Sequence, residues 1–108
     1  MRVDKPWGYE KIWAKTDNYV GKILFIKNDH RLSLQYHQYK EETVYVQEGI
    51  LTLQVAEEEL QLKVGECHHI PPGTIHRMSA KHGDCKVFEV STPQLDDVIR
   101  LEDDYQRK

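Results

Sequence analysis

The sequence has no long apolar run and no excess of positive charge, and it contains only two cysteines. A transmembrane helix needs about 20 mostly apolar residues, and the N-terminal stretch MRVDKPWGYEK lacks the apolar segment of a signal peptide. A net charge of −3, from 15 basic and 18 acidic side chains, argues against a nucleic-acid or anionic-membrane surface, which needs a basic patch. Without a secretory signal, Cys67 and Cys85 are expected to stay reduced, which predicts a cytoplasmic protein.

The chain length fits one domain and leaves no room for a second. Its 108 residues include two Trp and six Tyr, enough large side chains for a folded core. The sequence predicts a single domain over residues 1–108. Within it we expect an N-terminal arm at 1–8, a barrel at about 9–92 and a C-terminal tail at 93–108.

Most of the chain alternates between apolar and polar residues with the period of a β-strand. Clusters of Gly, Pro, Asn and Asp separate the short runs, as turns require. Only the segment PQLDDVIRLEDDYQRK has room for a helical turn. The pattern predicts an all-β sandwich or barrel. The predicted strands are YEKIWAK, GKILFIK, RLSLQYHQ, TVYVQ, ILTLQVA, LQLKV, CHHI, IHRMSA and CKVFEVS.

Polar side chains occupy strand positions in the stretch SLQYHQYKEETVYVQEG. Gln35 and His37 are two residues apart, so both point to one face. Glu42 begins the next strand, where we expect it to meet them across the pair, and His76 follows a tight Pro-Pro-Gly turn. Taken singly, each residue is explained as a surface or hydrogen-bonded core group. Taken together, imidazole, carboxylate and amide oxygen suit a divalent cation of borderline hardness.

These spacings resemble the two motifs of the cupin family, G-x5-H-x-H-x4-E-x6-G and G-x5-P-x-G-x2-H-x3-N. Residues 65–76 match the second motif, with Ala80 where the family has Asn. Residues 29–49 match the first, with Asp29 for the opening Gly and Gln35 for the first His. The resemblance implies an all-β, single-domain cupin, that is, a double-stranded β-helix or jelly-roll barrel.

Four stretches resemble one branch of that family more closely. KPWGYEKIW, RLSLQYH, IPPGTIHR and RLEDDYQR are similar to the C-terminal isomerase domain of bifunctional mannose-1-phosphate guanylyltransferase/mannose-6-phosphate isomerases of type II. That domain typically reads RPWGxYE, RLSLQxH, IPxGxxHR and RxEDxYGR. The chain has no guanylyltransferase half, so the resemblance is to the isomerase domain standing alone. The family's HHHRAEHW is replaced here by HQYKEETV, which changes the expected substrate side of the site.

The resemblance also implies a metal-ligand set. Phosphomannose isomerases of the zinc type use Gln, His, Glu and His. In this chain the corresponding residues would be Gln35, His37, Glu42 and His76. The implied cofactor is one divalent metal ion, with zinc favoured over Mn, Fe, Ni and Co.

Four charged residues at family positions are candidates for the remaining chemistry. Aldose–ketose isomerisation moves a proton between adjacent carbons through an enediolate, and it needs a Lewis acid, a proton shuttle and cations for the phosphate. Glu89 and Lys22 are predicted to shuttle the proton, and Arg31 and Arg77 to bind the phosphate. Two of these residues have equally good structural explanations. Glu89 fits a solvated strand face, and Arg77 fits a surface ion pair because alternation turns it away from His76.

The implied function is a metal-dependent sugar-phosphate isomerase of the mannose-6-phosphate isomerase type. The alternatives are a non-catalytic or regulatory sugar-binding metal cupin and a cupin metal oxygenase or lyase, since one fold hosts many chemistries. Gln35 as a ligand favours redox-inert use, because oxygenase sites usually offer more imidazole. The expected partners are a small sugar phosphate and a second copy of the chain, through an outer sheet face or an exchanged N-terminal strand. No nucleic-acid or membrane partner is expected.

Overall fold

Two antiparallel sheets face each other and enclose the inward-pointing side chains of the alternating runs. The structure, a computed structural model, describes residues 1–107. The strand order is β1-β2-β3-β10-β5-β8 in the first sheet and β11-β4-β9-β6-β7 in the second. The strands are β1 (Arg2–Lys5), β2 (Gly8–Lys15), β3 (Val20–Ile26), β4 (Leu34–Tyr36), β5 (Glu42–Glu48), β6 (Leu51–Val55), β7 (Glu58–Leu62), β8 (Cys67–Ile70), β9 (His76–Ser79), β10 (Cys85–Ser91) and β11 (Ile99–Glu102).

The all-β prediction is confirmed, and each of the nine predicted runs overlaps one strand. Two strands were not predicted, β1 at one edge of the first sheet and β11 at one edge of the second. β11 occupies the segment in which a helical turn was allowed, and residues 1–107 hold no helix that could cross a membrane. Lys108, the last residue of the predicted tail, lies outside the described residues.

Three neighbouring strands change from apolar to charged along their inward faces. The register pairs Leu24 with Val87 at the apolar end, and Lys22 with Glu89 at the charged end. Buried charges are costly unless they are paired or bind a metal. We call the charged ends of these strands the charged layer, and they form the candidate functional end of the barrel. The buried side chains, apolar then charged, are Leu24 and Lys22 in β3, Val87 and Glu89 in β10, and Val44 and Glu42 in β5.

Glu42 approaches the predicted ligands by a route that the sequence did not predict. The expectation that it meets Gln35 and His37 across a strand pair is wrong, because β4 and β5 lie in different sheets. The chain crosses from one sheet to the other at residues 37–41, so Glu42 faces these side chains across the barrel. The residue paired directly with Gln35 is His76, in β9.

Two of the three departures from the cupin motifs, Asp29 and Ala80, lie against each other. Asp29, at the Gly position, has a φ of 65°, a region that Gly enters freely and Asp more readily than most residues. Its N–H donates to the carbonyl of Ala80 at 2.8 Å, and the N–H of Ala80 donates to the carbonyl of His30 at 3.0 Å. The backbone therefore keeps the turn that the motif Gly provides, although Asp29 must adopt the less favourable left-handed conformation.

This turn gives a stability prediction with a matched pair of variants. Because a Cβ-bearing residue without a polar side chain pays about 1 kcal/mol in the left-handed region, Asp29→Ala should be less stable than Asp29→Gly by about that amount. Both variants keep the backbone hydrogen bond to Ala80, so the comparison isolates the conformation. Urea unfolding of the three proteins measures the difference. Equal stabilities for the Ala and Gly variants would contradict this account of the turn.

Candidate metal centre

Three buried side chains place ligand atoms around one point at the charged end of the barrel. Nε2 of His37 lies 3.4 Å from Oε1 of Glu42, and Nε2 of His76 lies 3.0 Å from the same oxygen. One ligand atom from each residue lies within 4.8 Å of the others. The exposed fractions of His37, Glu42 and His76 are 3%, 2% and 0%. Bulk water therefore does not solvate these atoms.

The other ring nitrogen of each histidine fixes its tautomer. Nδ1 of His37 lies 2.6 Å from the backbone oxygen of Asp97, and Nδ1 of His76 lies 2.8 Å from that of Thr74. Since a carbonyl oxygen only accepts, each Nδ1 carries the proton, and the neutral ring presents a lone pair at Nε2. Both Nε2 atoms and both carboxylate oxygens of Glu42 are buried without a hydrogen-bond partner.

Converging lone pairs need a positive charge between them, either an extra proton on one ring or a metal ion. Two imidazoles and a carboxylate are ligands of divalent cations of borderline hardness, and backbone carbonyls behind such histidines are their usual supports. The residues therefore fit a divalent metal ion. Burial alone would raise the pKa of Glu42, but the pKa is held well below its ordinary value by hydrogen bonds from His37 and His76, each of which requires a proton on Nε2, and by the charge of Lys40. The carboxylate is therefore charged.

Gln35 lies next to this cluster as the sequence predicts. Its side chain is buried and pairs in register with His76. It lines a cavity that His37 and Glu42 also line. Its Oε1 accepts a hydrogen bond of 3.1 Å from the hydroxyl of Ser33. A role as the fourth ligand remains a prediction.

The sequence missed a buried lysine in the centre of the charged layer. Nζ of Lys40 lies 3.4 Å from Oε2 of Glu42 and 3.2 Å from Oε2 of Glu89. Burial alone would lower the pKa of Lys40, but the two carboxylates raise it, so the amine stays protonated. The sequence did contain a signal for it. Lys40 stands where the related HHHRAEHW stretch has Arg, and it is the one basic residue between the ligands His37 and Glu42.

The two residues predicted to shuttle the proton both lie in this layer. Burial and the charge of Glu42 raise the pKa of Glu89 to about 7. Lys22 lies opposite Glu89 in register, and its Nζ donates to Glu10 at 2.9 Å. The layer therefore alternates in sign from Glu42 through Lys40, Glu89 and Lys22.

A cavity of about 310 Å³ opens above the layer. Strand β1 and the C-terminal segment (residues 92–107) form parts of its wall, through Lys5, Arg100 and Arg107 among others. The charged lining residues are Lys5, Glu10, Lys22, Lys40, Glu42, Glu89, Asp96, Arg100 and Arg107. The cavity is thus lined both by His37 and Glu42 of the cluster and by several basic side chains.

The predicted phosphate ligands Arg31 and Arg77 do not line this cavity. Arg31 donates two hydrogen bonds to Asp104, at 2.7 and 2.9 Å. Nε of Arg77 donates to the carbonyl of Leu32 at 3.0 Å, and its terminal nitrogens donate to Glu102. Both guanidinium groups fasten the C-terminal segment to the second sheet, and the alternation of β9 turns Arg77 away from His76 as expected.

Sequence comparisons relate the chain to mannose phosphate enzymes and to a dioxygenase. The family described as Mannose-6-phosphate isomerase C-terminal matches residues 1–103. A mannose-1-phosphate guanylyltransferase from Salmonella muenchen is 26% identical over 94% of this chain and 22% of its own length. A quercetin 2,3-dioxygenase from Bacillus subtilis is 29% identical over 79% of this chain and 26% of its own length. The chain thus spans about a quarter of the length of these relatives.

Solved structures identify the fold. The structure of KdgF from Halomonas sp. matches with a TM-score of 0.82 and 22% identity, over 90% of this chain and 89% of that one. An RmlC-like cupin from Shewanella frigidimarina matches with a TM-score of 0.81 and 15% identity, over 90% of this chain and 86% of that one. These likenesses confirm the predicted cupin fold.

The cluster predicts one site for a divalent ion. The protein should bind about one equivalent of Zn²⁺ or Co²⁺, and a hundredfold excess over the dissociation constant should stabilise the fold by about 2.7 kcal/mol. His76→Ala and Glu42→Gln should each abolish both effects. His69→Ala is the matched control, because His69 pairs with Glu41 at the surface. Metal analysis and thermal unfolding measure the outcome. Retention of metal by both cluster variants would contradict the site.

Proposed function

Because the chain belongs to the mannose-6-phosphate isomerase C-terminal family, we propose that it is a metal-dependent isomerase that interconverts the aldose and ketose forms of a sugar phosphate. The observation that carries this proposal is one cavity lined by His37 and Glu42 of the ligand cluster, by the buried acid Glu89 and by the buried amine of Lys40. Isomerisation needs these three components together.

The cluster is assigned to the cation. His37, Glu42 and His76 would hold it, with Gln35 as the predicted fourth donor and zinc as the favoured metal. When bound, a divalent cation supplies Lewis-acid polarisation of a carbonyl and its neighbouring hydroxyl. Three protein ligands would leave one position for a substrate oxygen, and with Gln35 as a fourth donor the coordination would have to expand to five.

Glu89 is assigned to moving the proton between adjacent carbons. Its carboxylate is buried in the cavity wall, on the strand paired with that of Glu42. Lys40 contacts it at 3.2 Å, and Lys22 lies opposite in register. The two ammonium groups stabilise negative charge on this side of the cavity and restrict where the carboxylate can point.

Arg100 is assigned to the phosphate in place of Arg31 and Arg77. The register forms a row across the second sheet in which Arg100 pairs with Gln35 and Gln35 with His76. Neighbouring strands are about 4.8 Å apart, so the backbones of Arg100 and His76 are roughly 10 Å apart, and Arg100 also lines the cavity. Its guanidinium can bind a phosphate through two parallel hydrogen bonds.

A second candidate is a metal-dependent dioxygenase, favoured by the likeness to quercetin 2,3-dioxygenase. A third is the non-catalytic sugar-binding cupin, which would keep the cavity and bind without turnover. The replacement of the family's HHHRAEHW by HQYKEETV is relevant to both of these alternatives to the isomerase, because it changes the residues beside the ligands. We further propose a cytoplasmic location, where the unpaired thiols of Cys67 and Cys85 would stay reduced.

The isomerase proposal predicts different effects of three variants. Zinc-loaded protein should interconvert mannose-6-phosphate and fructose-6-phosphate in an NMR assay. Glu89→Gln should lower kcat by roughly 10²–10⁴-fold, the usual contribution of a general base. Arg100→Met should mainly raise KM, whereas Lys81→Met, which removes a surface cation paired with Glu59 away from the cavity, should leave KM unchanged.

Failure of loaded protein to convert either hexose phosphate would refute the proposal. Binding of the sugar without turnover would favour the non-catalytic cupin. Oxygen consumption with quercetin, after loading with Fe or Mn, would favour the dioxygenase.

We also propose that the partner is a second copy of the chain, seated on the outer face of the first sheet. Ile23, Phe88 and Tyr45 form one row there by register, and the rings of Tyr45 and Phe88 stack at 6.2 Å. Lys86 and Glu48 supply opposite charges at the rim, which a two-fold related copy can pair reciprocally.

The dimer is tested by placing a charge on this face. Light scattering should give twice the chain mass of 12.8 kDa, and Phe88→Glu should give the monomer because it buries a charge in the interface. Leu101→Glu is the control, because Leu101 is exposed on the edge strand of the other sheet. A monomeric native protein would contradict the proposal.

A further inference from the structure

Asp97 contacts the segment after β4 with both its backbone and its side chain. Its backbone oxygen lies 2.6 Å from Nδ1 of His37. Its carboxylate accepts three backbone hydrogen bonds, from Gln38 at 3.0 Å, Tyr39 at 2.6 Å and Lys40 at 2.9 Å. One residue from the C-terminal segment thus binds four successive residues that are about 60 positions away in sequence.

These contacts replace hydrogen bonds that the crossing segment cannot obtain from a sheet. β4 ends at Tyr36 and β5 begins at Glu42, so residues 37–41 run between the two sheets outside both strands. Backbone N–H groups without a partner are costly. The carboxylate of Asp97 satisfies three of them and so fixes the conformation that aims both His37 and Lys40 inward.

The two histidines of the cluster are supported differently. Nδ1 of His76 donates to Thr74, two residues away in the same turn. Nδ1 of His37 donates to Asp97, which lies 60 residues away in the segment between β10 and β11. The orientation of His37 therefore depends on a distant residue, and that of His76 does not.

We propose that Asp97 is a positioning residue of the metal centre: its carboxylate holds residues 38–40 so that its own carbonyl keeps the proton of His37 on Nδ1 and the lone pair on Nε2. The proposal rests on the metal centre of the proposed function and is independent of the isomerase reaction. Second partners of ligating histidines typically change metal affinity by 10–100-fold when they are lost.

The first test needs no metal and uses the tautomers of the two histidines. In ¹⁵N NMR spectra of the full-length native protein, His37 and His76 should both be protonated at Nδ1. Asp97→Ala removes the carboxylate and leaves the backbone carbonyl. It should convert His37 to a mixture of tautomers while His76, the internal control, stays unchanged. An unchanged His37 would overturn the proposal.

The second test measures affinity for Zn²⁺ by competition with a chelator and the absorption spectrum of the Co²⁺ form. Asp97→Ala should weaken binding by 10–100-fold and alter the cobalt spectrum. Asp97→Ser, which keeps one acceptor oxygen, should fall between it and the native protein. Asp84→Ala is the matched control, because Asp84 also accepts a backbone hydrogen bond, from Asn28, at the opposite end of β10.

The outcomes separate the positioning role of Asp97 from the existence of the metal centre. Native affinity and an unaltered cobalt spectrum in Asp97→Ala would overturn the positioning role. Equal losses in the Asp84 and Asp97 variants would also overturn it, since they would indicate a general loss of stability. A native protein that binds no metal would refute the metal centre, and the tautomer of His37 would then decide the role of Asp97.

Discussion

A single buried arrangement, three hydrogen-bond acceptors facing one another, sets the requirements for the rest of this end of the barrel. With both histidines protonated at Nδ1, the lone pairs of His37 and His76 and the charged carboxylate of Glu42 converge without a donor. Such a group needs a positive charge between its members, either an extra proton on one ring or a metal ion. The backbone carbonyls behind the rings, the crossing segment after β4 and the tight turn before β9 all serve to keep these atoms in place.

The charged layer also explains how the barrel tolerates buried acids. Glu42 and Glu89 would repel each other in a site sheltered from water, and Lys40 lies between them at 3.4 and 3.2 Å. Burial, and then the charge of Glu42, raise the pKa of Glu89 to about 7, against the opposing effect of the ammonium groups of Lys40 and Lys22. The apolar residues Leu24, Val44 and Val87 stabilise the other end of the same strands. An apolar core and a charged site thus occupy opposite ends of the same strands.

Much of this organisation could be read from residue patterns, and the failures have specific physical causes. Period-two alternation predicts the nine main strands, but β1 and β11 are edge strands of only four residues, three of them charged in β1. The alternation of Ile99–Glu102 is too short to distinguish a strand from the surrounding polar segment. The motif spacings bring His37, Glu42 and His76 to one point, although the sequence does not reveal that β4 and β5 belong to different sheets. Lys40 was overlooked because a lysine between two polar residues suggests a surface position. Arg77 was correctly expected to turn away from His76, and pairing with the C-terminal segment could not be anticipated because that contact is non-local.

The presence of a cation between His37, Glu42 and His76 is the central claim, and X-ray absorption at the zinc edge tests it most directly. Zinc-loaded protein should show two imidazole nitrogens at roughly 2.0–2.1 Å and carboxylate oxygen at roughly 2.0–2.2 Å. The imidazole contribution should fall by half in His37→Ala protein that still retains zinc. Zinc surrounded only by oxygen, or bound with sulfur from Cys67 or Cys85, would contradict the account.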